Sequence, residues 1–204
     1  MKRLGAIAVV ALCALPAAHG DQASALPPNV IHALTPIDSI PTKDELVTVL
    51  PVDTVSRLAQ IAQDATVDVG VRLRAIRALP QFCPIDGCAR TTAHDALRAL
   101  IEDSDPAHHS GPPILLLRAA IEALGATGSH PSSEPTEEPN DVQVLVPFLD
   151  NASRDIRAAT ARALRDLCDS QAIVPLRTRY LGETVPQVRL AISAALRDLA
   201  QCSP

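Results

Sequence analysis

One helical pattern recurs four times along this 204-residue chain, and it constrains the fold more than any other feature. In residues 71–79, VRLRAIRAL, the apolar side chains are spaced one, three and four residues apart, so they share one face of a helix. The pentapeptide ALRDL occurs twice, at 163–167 and 195–199. An alanine in each face lets a neighbouring helix approach closely. The four equivalent faces consist of Val71, Ala75, Ala78, Leu79 and Phe82, then Leu116, Ala120, Ala123, Leu124 and Thr127, then Ile156, Thr160, Ala163, Leu164 and Leu167, and last Val188, Ile192, Ala195, Leu196 and Leu199.

Another set of apolar positions precedes each of these helices and predicts a first helix in every unit. Pro113 and Pro186 fall at the start of a second helix, where the missing N–H of proline is harmless. The apolar positions of the first helices are Leu58, Ile61 and Ala62, then Leu97, Leu100 and Ile101, then Leu145, Phe148 and Leu149, and last Tyr180 and Leu181. The sequence therefore predicts an all-α fold of about four antiparallel helix pairs, at residues 52–82, 91–127, 141–168 and 171–202.

Three of the second helices begin with the same motif. It reads V-R-x-x-A-x-x-A-L at 71–79, I-R-x-x-T-x-x-A-L at 156–164 and V-R-x-x-I-x-x-A-L at 188–196, whereas Leu117 replaces the arginine in the second unit. Over residues 52–202 this repetition resembles the HEAT-repeat family. The resemblance implies a short α-solenoid of stacked helix pairs.

The arginines of the second helices fall into two groups. The resemblance implies that the shared arginines, Arg72, Arg157 and Arg189, pair with acidic residues near the turns, such as Asp68 and Asp155. Helical spacing places Arg74 and Arg77 with Gly70 and Gln81 on a stripe that we expect to face solvent. The candidates for binding a partner are Arg74, Arg77, Arg162 and Arg165; the competing interpretation is a solvated face that pairs with nearby acids such as Asp166.

The N-terminal region, residues 1–51, does not follow the repeat pattern and has two parts. Residues 1–20 have Lys2 and Arg3 before a short apolar run and small residues, which predicts a secretory signal peptide. We therefore expect an exported protein, periplasmic or extracellular, without a membrane span.

Residues 21–51 contain five prolines, which predicts an extended lead-in to the repeat domain at 52–204. Thr42 and Glu45 have capping-box spacing, so we expect one short helix there, which could cover the open end of the first repeat.

Four cysteines remain beyond the predicted signal peptide. Cys83 and Cys88 flank a turn-prone span, and in an oxidising compartment they favour a disulfide over a metal site or a redox-active pair. Cys168 and Cys202 fall near the ends of neighbouring second helices, so a second bridge could join the last two repeats. Four cysteines allow three connectivities, and the sequence leaves them open.

The loop at 103–113 is the one candidate metal site. Asp103, Asp105, His108 and His109 are suitable ligands for a divalent cation, although a flexible polar insert is the competing interpretation. His94 aligns with valines of other units, so we expect it to pack at a helix edge. The loop at 127–140 is acidic and rich in proline and serine, a composition that does not bury enough apolar surface to order itself.

The remaining features favour binding over catalysis. The chain has no G-x-S-x-G, no H-E-x-x-H and no phosphate-binding glycine loop. Loss of Lys2 and Arg3 with the leader would take the formal net charge from −5 to −7, which argues against nucleic-acid binding. We expect a monomer without a cofactor that acts as a module for binding or scaffolding an unidentified protein. The alternative is a small metal-dependent or lyase-type enzyme that uses the loop at 103–109.

Overall fold

The computed structural model describes residues 26–36, 38–84, 88, 90–104, 111–128 and 140–202. All regular structure in these ranges is helical, which confirms the all-α prediction. The α-helices are α1 (Pro28–Leu34), α2 (Lys43–Val49), α3 (Thr54–Gln63), α4 (Val69–Ala78), α5 (Thr92–Glu102), α6 (Pro112–Ala126), α7 (Asp141–Leu145), α8 (Arg154–Asp166), α9 (Ile173–Gly182) and α10 (Pro186–Cys202). Short 3-10 helices span Leu79–Phe82, Val146–Asp150 and Ser170–Ala172. The predicted signal peptide lies outside the described residues.

Local signals in the sequence start most of these helices. Thr42 and Glu45 form the predicted capping box of α2, because the Thr42 backbone N–H donates to the Glu45 carboxylate at 2.7 Å and the Glu45 N–H donates to the Thr42 hydroxyl. The carboxylate of Asp68 accepts from the N–H of Gly70 at 2.8 Å and caps α4. Prolines occupy the first turns of α6 and α10, as expected.

The helices pack in an order that follows the chain. α3 contacts α4, α5 contacts α6, and α9 contacts α10, while α8 contacts the 3-10 helix that continues α7 more extensively than it contacts α7 itself. The second helices also contact one another in sequence, α4 with α6, α6 with α8, and α8 with α10. α6 and α8 approach each other closely, because a Cβ added to Gly125 would lie 2.6 Å from the Cα of Ala163.

The core consists of the apolar faces predicted from the repeat. Of the positions on the second helices, all are buried except Phe82, Leu116 and Leu196, and these three are half-buried against the core. The apolar positions predicted for the first helix of units one, two and three are also buried, apart from the half-buried Leu100. This agreement confirms the helical register that the repeat predicts for all four second helices.

The predicted register of α9 is wrong. Leu181 is 86 % exposed and Tyr180 is half-buried, whereas Leu176 is fully buried. The inner face of α9 is formed by Ile173, Leu176 and Tyr180, which are spaced three and four residues apart. Leu181 is one position beyond Tyr180 and therefore turns away from the core.

The lead-in contains two helices and not one within an extended segment. Pro28 begins α1 and does not break it, because the first helical position tolerates proline. α1 packs against α2 and α4, and its Val30 and Leu34 are fully buried. Two side chains that we expected to face solvent make hydrogen bonds to the lead-in. Arg74 Nε donates to the carbonyl of Pro36 at 2.7 Å, and Gln81 Nε2 donates to the carbonyl of Pro41 at 2.9 Å.

Candidate functional site

The four arginines predicted to bind a partner lie in different environments. Arg74 is buried, because its guanidinium contacts the lead-in, so the expectation that it faces solvent is wrong. Arg77 is exposed on α4. Arg162 and Arg165 are partly exposed on α8. Three of the four are therefore at the surface.

Two of these three belong to a row that crosses the second helices. Arg77 of α4, Glu122 of α6 and Arg162 of α8 occupy equivalent positions, each two residues before the shared leucine of its repeat. We call these three residues the second-helix row. Arg162 Nη2 lies 3.3 Å from Glu122 Oε1, and Arg118 Nε donates to the same oxygen at 2.9 Å. The row therefore has basic ends and one shared carboxylate between them.

Arg165 lies next to the row and is paired in part. Its Nη2 lies 2.8 Å from Asp166 Oδ1 on the same helix, and its Nε lies 3.8 Å from Asp198 Oδ2 on α10. These contacts support the interpretation of local pairing for this residue. Exposed pairs of this kind contribute little to stability, so Arg165 can exchange partners at small cost.

The shared arginines stabilise the turns that precede their own helices. Arg72 Nε donates to the carbonyl of Ala62 at 3.0 Å, and Arg189 Nη1 donates to the carbonyls of Tyr180 and Glu183 at 2.9 Å each. Arg157 Nη1 makes the equivalent bond to the carbonyl of Asn151 at 2.8 Å. Each arginine thus satisfies carbonyls left open where a first helix ends.

Asp68 and Asp155 are not the partners of these arginines. Asp68 caps α4, and Asp155 lies at the exposed start of α8, 3.9 Å from Arg154. The acidic partner of Arg157 is Glu183, the residue that follows α9. Its carboxylate is almost fully buried and accepts from Arg157 Nε at 2.7 Å and from Arg179 Nη2 at 2.7 Å. Burial raises the pKa of Glu183, but the hydrogen bonds from Arg157, from the N–H of Val185 and from Arg179 outweigh it and hold the pKa at about 2.

His94 forms a buried ionic contact that the alignment with valine did not indicate. It is 6 % exposed on α5, and its Nε2 lies 3.0 Å from both carboxylate oxygens of Asp141 at the start of α7. Its Nδ1 lies 3.4 Å from Asp95 Oδ1, and Arg98 Nη1 lies 4.0 Å from Asp141 Oδ1. Burial lowers the pKa of His94, but the contact with Asp141 raises it by more, so the pKa lies above its usual range.

Of the candidate metal ligands, the structure describes Asp103 alone. It is the exposed residue that ends α5, and its N–H donates to the carbonyl of Ala99 at 2.9 Å. Asp105, His108 and His109 lie outside the described residues. Among the residues that are described, no group of three His, Cys, Asp or Glu side chains could hold a metal ion.

Both cysteine pairs considered in the sequence are brought together as disulfides. Cys83 and Cys88 have Cα atoms 4.6 Å apart, and Cys168 and Cys202 have Cα atoms 5.6 Å apart. The second bridge joins the end of α8 to the end of α10. Disulfides of this kind persist in oxidising compartments.

A groove with a mixed lining lies between α1 and α2. It encloses about 530 Å³. Apolar groups of Ala33, Pro36 and Val49 line it together with the carboxylates of Asp44 and Glu45. No sequence motif indicated this groove, because α1 was not predicted.

Comparisons with models of known protein families, with curated protein sequences and with solved structures found no match to this chain. Within the described part of the chain, no helix has the length and apolarity needed to cross a bilayer.

Proposed function

We propose that this chain is an exported HEAT-like α-solenoid of four helix pairs that binds another protein through the second-helix row. The observation that carries the proposal is the arrangement of Arg77, Glu122 and Arg162 at equivalent positions of three second helices that contact one another in order. The stacked repeats of a solenoid form an extended binding surface, and the second-helix row would lie across three of them.

Three further observations support this function. The packing of second helix on second helix, α4 to α6 to α8 to α10, is the order expected of a solenoid. Arginine is enriched among the residues that dominate protein interfaces. The two disulfides fit an exported protein, because they would stabilise it in an oxidising compartment.

The test is affinity capture from the native extracytoplasmic fraction, with the full chain expressed through export so that its disulfides form. We expect one protein to be recovered specifically, with or without a chelator. The double variant Arg77→Glu and Arg162→Glu should lose that protein, because both basic ends of the row are reversed. The control is Arg57→Glu, an exposed arginine on α3.

Two results would contradict the proposal. Equal recovery of the protein by the row variant and by the control would place the binding surface elsewhere. Recovery that depends on the chelator, together with stoichiometric metal on the purified chain, would favour the metal-dependent enzyme and the loop at 103–109.

A further inference from the structure

α9 carries an exposed apolar face with a basic residue in its middle. Val174 is 70 % exposed and Leu181 is 86 % exposed, and their spacing of seven positions, about two helical turns, places both on one side of the helix. Arg177 lies between them on the same side and is also exposed. We call Val174, Arg177 and Leu181 the α9 face.

Such a face is unusual at the end of a helix array. Terminal repeats need a polar outer face, because an apolar one has no neighbouring repeat to cover it. At the N-terminal end the first repeat is covered, since α1 packs on α4. Among the described residues, the main contacts of α9 and α10 are with each other, with α8 and with the 3-10 helices at Val146–Asp150 and Ser170–Ala172.

The groove between α1 and α2 has the complementary chemistry. Its apolar lining could accept apolar side chains of a helix, and Asp44 and Glu45, which also line it, carry the charge opposite to that of Arg177. An apolar helix face laid into an apolar groove is a common mode of recognition.

We propose that the α9 face of one copy docks into the α1–α2 groove of the next copy, so that chains associate head to tail. The two surfaces lie on different helix pairs and do not match themselves, so the contact is heterologous and extends from copy to copy unless the rotation closes a ring. The sequence predicts a monomer. This proposal differs from that prediction, because it expects chains to associate at high concentration. The contact involves neither Arg77 nor Arg162, so it is independent of the second-helix row.

Sedimentation velocity over a wide range of concentration tests this proposal. The mass of the full, exported chain should rise with concentration and fall again at high salt, because salt screens the contact between Arg177 and Asp44. Leu181→Glu should weaken association at least about tenfold, since it places a charge where the next copy would bury the leucine side chain. Thr48→Arg should weaken it similarly, because it places a positive charge in the groove lining. The control is Leu115→Glu, a 48 % exposed leucine on α6 that belongs to neither surface.

A mixture of the two variants distinguishes a head-to-tail contact from any other. Leu181→Glu retains an intact groove and Thr48→Arg retains an intact α9 face, so the mixture should form dimers and nothing larger. Circular dichroism of each variant shows whether it is folded. Three results would overturn the proposal: a wild-type chain that stays monomeric, variants that associate as the control does, or a mixture of folded variants that forms no dimer.

Discussion

The close approach of α6 and α8 makes Gly125 the position where one added methyl group has the clearest consequence. In Gly125→Ala the new Cβ would lie 2.6 Å from the Cα and 2.8 Å from the Cβ of Ala163. Alanine is favoured over glycine within a helix by about 1 kcal/mol. Overpacking opposes this by roughly 1–3 kcal/mol, and the upper end applies because the nearest atom is backbone and cannot rotate away. The net expectation is a loss of about 2 kcal/mol.

Thermal and urea unfolding, followed by circular dichroism, measure this loss. A change of about 2 kcal/mol lowers Tm by about 4–8 °C in a chain of this size. The matched control is Gly182→Ala at the end of α9, where an added Cβ meets no atom within 4 Å. It should leave stability unchanged or raise it slightly. A Gly125→Ala variant at least as stable as the wild type would refute the close packing of α6 on α8.

Three further predictions concern the ionic contacts and the disulfides. Because the pKa of His94 is raised, its contact with Asp141 should stabilise the fold fully below pH about 6.5, and this stabilisation should be lost as the pH rises through the folded-state pKa of His94. Asp141→Asn should flatten the dependence of the free energy of unfolding on pH. Glu183→Gln should lower the free energy of unfolding, measured in urea, by about 3 kcal/mol, because it leaves the buried guanidinium of Arg157 without its carboxylate. Replacing Cys168 and Cys202 by serine should cost about 4 kcal/mol, against about 2 kcal/mol for the other bridge, because 34 residues separate the first pair and 5 the second.

Each of these has a control and a result that contradicts it. Stability that rises with pH above neutrality in the wild type would show that His94 is not held charged. Glu102→Gln, at a side chain that is 51 % exposed, should change stability little, so equal losses in the two variants would argue against a buried role for Glu183. If removal of either disulfide lowered the free energy of unfolding by the same amount, the length of the closed loop would not govern how much each disulfide stabilises the fold.

The sequence predicts the helices that repeat and, from its capping box, α2, but it misses α1. The second helices were predicted with the correct register because each core position is tested by three other copies of the pattern. α1 has no such copy, and the proline that starts it is also a signal for a break. The register of α9 was wrong because Arg177 interrupts the apolar pattern, and Leu181 was then assigned to the core.

The polar contacts were less predictable because they join residues distant in the chain. His94 lies 47 residues from Asp141, and Arg157 lies 26 residues from Glu183. The shared arginine did indicate a role in the turns, but its main partners are backbone carbonyls, which no sequence pattern distinguishes. Arg74 has the spacing of a solvated residue and is buried only because the lead-in folds over it. Cys83 and Cys88 were predictable from the turn-prone span that they flank, and Cys168 and Cys202 from the helix ends near which they lie.

Photo-crosslinking tests the proposed binding surface most directly. A photoreactive side chain is placed at position 77 or 162 of the second-helix row, or at position 57 on α3, and the exported chain is irradiated in the native extracytoplasmic fraction. We expect one covalent adduct with the same partner from positions 77 and 162 and none from position 57. An adduct from position 57 and none from the row would contradict the assignment of this surface to partner binding.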